Sequence, residues 1–201
     1  MINKGNCDSP ATTSTSITTD YVSVYVNAFT EASAKDFFDS FRKASEQGQK
    51  IIPVYIDSYG GYCDSLIVML DTILSFDGTV VTAAIGKAMS CGAMLLGCGT
   101  PGFRYAAPNA SIMLHHVASV SHGKVPEQDN DLKETKRLQE QIFEILTKRC
   151  RQKKGYFLNL LKKQGNLDVY LTPTSAKKHK LIDNIGCPNV VRVVESKLVI
   201  K

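Results

Sequence analysis

Three side chains that together can carry out acyl transfer occur in the order Ser90, His115, Asp168. Ser90 stands in TAAIGKAMSCGAMLLGCGTPG (82–102), where an apolar run meets Gly86 and a helix is expected from about Ser90 to Cys98. A serine at a helix start lies among backbone N–H groups that have no intrahelical partner. Those donors and the helix dipole can stabilise an oxyanion. The arrangement follows the logic of a nucleophile elbow, although the G-x-S-x-G spelling is absent. Read alone, Ser90 serves equally well as a helix cap. His115 and His116 end SIMLHH (111–116). Strand alternation puts the two on opposite faces, so only one can face the serine, and an isolated histidine is commonly structural. Asp168 lies in NLDVYLTP just before a helix, where a capping acid is also at home. The paired glycines of IDSYGGY (56–62) let the backbone approach a ligand closely. They make the Gly61 N–H a candidate oxyanion donor, or simply a turn into a helix. The set acquires meaning jointly: a serine hydroxyl needs a base, and the base needs a partner that fixes its tautomer.

The elements that must position these residues alternate between strand and helix. YVSVYV (21–26) has the period of a strand, and 32–47 reads as a helix with Phe37, Phe38 and Phe41 on one face. IIPVYI (51–56) is a continuous apolar run, as in a buried strand. A helix over 63–76 carries Leu66, Met69, Leu70 and Ile73 on one side, and TVVTAAIG (79–86) is the next strand. Residues 127–153 form one long helix with the stripe Leu138, Ile142, Ile145 and Leu146, and 156–163 a short one. Thr172 caps a further helix with Pro173 at its first position. A terminal strand pair is expected over 190–200, and a Ser/Thr-rich arm over 1–19. The alternation predicts an α/β domain over 20–201 with a mostly parallel sheet.

Composition narrows the function. Of 201 residues, 43% are hydrophobic and 21% charged, and the net charge is +5. The basic residues, grouped over 133–151, at Lys153, Lys154, Lys162 and Lys163, and over 177–180, read as solvated helical faces. No aromatic interleaving accompanies them, so no nucleic-acid partner is expected. Cys7, Cys63, Cys91, Cys98, Cys150 and Cys187 show neither CxxC nor zinc-ligand spacing, so no metal or cofactor is expected. The first twenty residues have no apolar signal segment, and no run is long enough to cross a membrane. With unpaired cysteines, this predicts a cytoplasmic protein.

The chain resembles the Clp protease family over roughly residues 20–186. TAAIGKAMSCGA (82–93) is similar to the family's serine signature, with Met89 where a small residue is usual. RYAAPNASIMLH (104–115) is similar to the histidine signature, which usually continues Gln-Pro where this chain has His116-Val117. DVYLTPTSAKKHKLID (168–183) resembles the stretch in which an Asp precedes an aromatic, a Leu and a small hydroxyl residue, and this assigns Asp168, not Asp183, to the triad. Gly61 and the N–H of Cys91 fall where the family builds its oxyanion hole. The resemblance implies a crotonase-like spiral of ββα units with a protruding helical handle, here 127–153. It also implies a serine endopeptidase that hydrolyses unfolded polypeptides inside a homo-oligomeric chamber of stacked seven-membered rings. Hydrolysis there needs no ATP, and an AAA+ unfoldase feeds the chamber. Tyr55 and Tyr105 match positions that dock the unfoldase, while Pro53 and Ala83 are less typical there. VASVSHGK (117–124) replaces the family's substrate-binding Gly-Gly strand, and Tyr59 replaces a Pro. The alternatives are a phage-type capsid-processing peptidase, a crotonase-type acyl-CoA enzyme and a catalytically silent ring subunit.

Overall fold

The computed structural model describes residues 21–190. The expected N-terminal arm and almost all of the expected terminal strand pair lie outside them. The two apolar runs form the centre of the sheet: β2 (Ile51–Ser58) and β3 (Thr79–Met89) pair in parallel, with Ile52 opposite Val80 and Ile56 opposite Ala84. Both are covered on two faces, which is why they read as continuous rather than alternating apolar sequence. β1 (Val24–Val26) adds in parallel to the far edge of β2. The connections are helices, α1 (Glu31–Glu46) between β1 and β2 and α2 (Cys63–Ser75) between β2 and β3. Thr30 starts α1 by accepting from the Ser33 N–H at 3.2 Å, while the Ser33 hydroxyl receives the Thr30 N–H at 2.9 Å. Phe37 and Phe41 stack inside the core, but Phe38 does not share their face and is half exposed. Residues i and i+4 overlie one another on a helix, whereas i+1 is turned about 100° away. The α2 stripe of Leu66, Met69, Leu70 and Ile73 is buried throughout.

β3 continues to Met89, beyond the expected end at Gly86, and changes partner on the way. Its first half pairs with β4 (Arg104–Ala106) and its last residues pair with β5 (Ser111–Leu114), both in parallel. Gly86, with φ of +84°, sits between the two stretches. β5 in turn pairs antiparallel with β6 (Val169–Leu171), and β4 pairs with β7 (Asn184–Ile185). The apolar end of β3 therefore delivers the chain directly to Ser90 and the seven-residue helix α3 (Cys91–Gly97).

Every residue of α3 is buried, so the helix needs cover on all sides. Part of that cover is the long helix α4 (Val125–Arg149). Its apolar stripe divides along the helix. Ile142 and Leu146, with Phe143 and Thr147, belong to the protomer's own core, while Leu138 and Ile145 are only partly buried. The first half of α4, through Arg137, remains largely exposed, including Val125 and Leu132. α5 (Tyr156–Lys163) packs beside it, and α6 (Pro173–Lys178) begins as expected, with Thr172 accepting from the Ser175 N–H at 3.2 Å.

Buried polar chemistry fixes the C-terminal end of α3. Arg104, 3% exposed, forks onto Asp183 with Nη2–Oδ1 at 2.6 Å and Nε–Oδ2 at 2.8 Å. Its Nη1 donates to the Gly97 carbonyl at 3.1 Å. Arg149 donates to the carbonyls of Cys98 at 3.1 Å and Gly99 at 2.8 Å. Two guanidinium groups thus occupy the end of α3 where carbonyls lack helical partners.

Candidate active site

Ser90 precedes α3 with φ 55° and ψ −122°. That conformation is unusual for a residue with a Cβ and is characteristic of strained functional turns. It projects Oγ away from the helix: the side chain makes no cap bond, and Oγ lies 2.7 Å from His115 Nε2. The Ser90 N–H is held by the Met113 carbonyl at 2.9 Å. His115 follows β5 directly, and the β3–β5 register, with Met89 opposite Met113, places the two strand ends side by side. His116 turns the other way. Its Nδ1 lies 3.0 Å from Gln139 Oε1, which also accepts the Val117 N–H, and its Nε2 lies 3.2 Å from Asn166 Oδ1. Both histidines follow the end of β5 and line the cavity beside the serine, and His115 is the one on the serine.

Asp168 stands one residue before β6, and the antiparallel register ends with Leu114 opposite Val169. Continued one step beyond the last pair, that register would set His115 opposite Asp168. The carboxylate is exposed and makes no hydrogen bond to His115 among the described residues. Asp183, its rival in the sequence, is committed to Arg104. Burial works to raise the Asp183 pKa, but the guanidinium and two backbone N–H groups outweigh it and hold the carboxyl below the usual range.

The glycine pair shapes the opposite wall. Gly60 has φ +112° and lies so close to the serine that a Cβ there would come within 2.7 Å of Ser90 Cβ. Gly61, at φ +153°, is pressed against Phe29, which exchanges backbone hydrogen bonds with Gly60 and Tyr62 on either side of it. These contacts leave the Gly61 N–H without an acceptor among the described residues, and the Cys91 N–H, first in α3, is likewise free. Both flank a cavity of about 100 Å³ that Ser90, His115, Cys63 and Met94 also line. A wider cavity of about 640 Å³ lies beside α5, rimmed by lysines and remote from the serine. The stretch 117–124 contains no strand.

Sequence reasoning missed two features of this region. One is Cys63, which reaches the cavity because α2 starts immediately after the glycine turn. The other is an ion pair between the strands that precede the glycine turn and the serine: Lys87 Nζ lies 2.7 Å from Asp57 Oδ1 and 4.5 Å from the centre of the Tyr59 ring. The Lys87 hydrogen bond outweighs desolvation and lowers the Asp57 pKa. The signal available was that Asp57 and Lys87 each interrupt an otherwise apolar strand.

The domain thus combines a mostly parallel sheet with a serine aimed at a histidine beside backbone donors that are free among the described residues. The Clp protease family model matches residues 12–189 of this chain, which accordingly belongs to that family, as a peptidase of the Clp type. No helix among the described residues is long and apolar enough to cross a membrane.

Proposed function

We propose that this protein is a serine endopeptidase in which Ser90 is the nucleophile, His115 the general base and Asp168 the residue that orients the base. The 2.7 Å approach of Ser90 Oγ to His115 Nε2 carries the reading. Ser90 Oγ attacks the scissile carbonyl and its proton passes to His115 Nε2. The oxygen, now negative, is received by the N–H groups of Gly61 and Cys91, which have no other acceptor among the described residues. Collapse returns the proton from His115 to the leaving amine, and water repeats the sequence to release the acyl group. Asp168 belongs to this scheme through register alone and needs only to close on His115 Nδ1 when substrate binds.

Substrates are unfolded polypeptides, admitted to a chamber of stacked rings in which the exposed half of α4 interlocks with its counterpart. An AAA+ unfoldase is the partner. In support, Tyr25, Tyr55, Ala83 and Tyr105 are successive register partners across β1, β2, β3 and β4, so they share one sheet face and form a nearly continuous aromatic row. We place the enzyme in the cytoplasm.

The exposed Asp168 favours one alternative, a catalytically silent ring subunit. Labelling with a fluorophosphonate separates the two. Ser90 should be labelled in the wild type, His115→Ala should abolish labelling, His116→Gln should retain it, and Asp168→Asn should slow it. An unlabelled wild-type protein establishes the silent reading.

A further inference from the structure

Two thiols share the small cavity with the nucleophile. Cys63 is the first residue of α2 and only partly buried; Cys91 is the first residue of α3 and buried. Both line the cavity wall together with Ser90 and His115. Cys91 Sγ donates to the Gly61 carbonyl at 3.3 Å, so this thiol ties together the two peptide segments whose N–H groups face the serine. The Cys91 thiol also lies beside Cys63. That contact, opposed by burial, lowers the Cys63 pKa to about 7; the contact and burial together push Cys91 up. The N-terminus of the longer helix α2 further favours a thiolate at Cys63. The other two cysteines of the core, Cys98 and Cys150, are buried, and burial raises their pKa values. Among the cysteines of the core, reactivity is therefore concentrated at one pair, beside the serine; Cys187 is exposed and stands apart from them.

We propose that Cys63 and Cys91 form a redox-active dithiol whose oxidation to a disulfide disables the peptidase site. The inference rests on the Ser90 reading above for its functional consequence. The oxidant is a low-molecular-weight disulfide. The Cys63 thiolate attacks one of its sulfurs, a mixed disulfide forms, and one small thiolate leaves. Cys91 gives up its proton to that thiolate and attacks Cys63 Sγ. The Cys63–Cys91 bond forms and the second small thiolate departs. The two protein thiols are oxidised and the small disulfide is reduced to two thiols. Cys91 Sγ then no longer holds a proton for the Gly61 carbonyl and is drawn toward α2, so the Gly61 and Cys91 donors lose the link between them.

The test uses the full chain, reduced and then exposed to oxidised glutathione. A non-reducing peptide map should contain Cys63 joined to Cys91 with the loss of two hydrogens. The rate of fluorophosphonate labelling should fall about 100-fold, the scale of losing one oxyanion donor, and dithiothreitol should restore it. In Cys63→Ser the labelling rate, whatever its starting value, should no longer respond to the oxidant. The proposal is overturned if the map shows Cys63 and Cys91 unjoined, or if they join and labelling is unchanged. Absence of labelling in the reduced protein, with the joined peptide present, overturns the peptidase reading and the functional part of this one while establishing the dithiol chemistry.

Discussion

The two ends of α3 are built on opposite principles. At its C-terminal end, the Gly97, Cys98 and Gly99 carbonyls are each taken by an arginine, and Arg104 is itself paired with Asp183. At its N-terminal end, Ser90 holds a positive φ, its hydroxyl caps nothing, and the Cys91 N–H has no partner among the described residues. One end satisfies its polar groups; the other withholds them. A seven-residue helix has little intrinsic stability, so the anchored end and the surrounding core must hold the strained end in place. Reactivity at one terminus is financed by order at the other.

The comparison can be broken from either side. The largest effect is expected at the strained end. Ser90→Ala should lower peptide hydrolysis on the order of 10⁴-fold or more, with an unchanged thermal melt. Ser90→Gly should remove activity to the same extent yet raise stability by about 1 kcal/mol, because glycine accepts the backbone geometry without strain; urea titration reads the gain. At the anchored end, Arg104→Met should cost about 3 kcal/mol in the same titration, since it strands Asp183 and the guanidinium's two other partners, the Gly97 carbonyl and Cys150 Sγ. Gly60→Ala probes the wall between the two. Its Cβ would meet Ser90 within 2.7 Å, and displacement of the serine should reduce the fluorophosphonate labelling rate about 100-fold, with the fold retained by circular dichroism. The smallest effect is in pH. The folded-state pKa of Asp183 lies below its unfolded value. Its contribution is therefore present above about pH 4, the ordinary Asp value, and is lost as pH falls through the folded pKa. The wild-type stability curve should drop there more steeply than that of Arg104→Met.

The sequence carried those parts of the molecule that depend on local order. The buried strands β2 and β3 and the capped helices α1 and α6 follow from periodicity and capping, and each lies within a short window. What it did not carry depends on distant packing. β4 and β6 are only three residues each and are strands because β3 and β5 offer them an edge. Phe38 was grouped with Phe37 and Phe41 although the helical turn sends it outward. Ile142 and Leu146 read only as part of a helical stripe, because nothing local reveals that α3 is buried on every side and recruits them. Cys63 escaped notice for the same reason, since its significance comes from Cys91, a neighbour across two helices. Asp168 is intermediate: its register opposite His115 is local to the β5–β6 pair, but the contact that would orient the ring is absent.

The divided burial of α4 has a consequence for how the protein comes into being. Its second half is rooted in the core, while its first half extends as an arm of roughly 20 Å at 1.5 Å per residue. That arm is laced with charge, including the Arg137–Glu134 pair at 2.6 Å, and exposes few large apolar side chains. The arm therefore meets solvent without a continuous apolar ridge. If arms interlock between rings as proposed, their association is reversible and set by subunit concentration, so a cell could regulate the amount of working chamber through synthesis of the chain alone, with dilution returning the assembly to its parts.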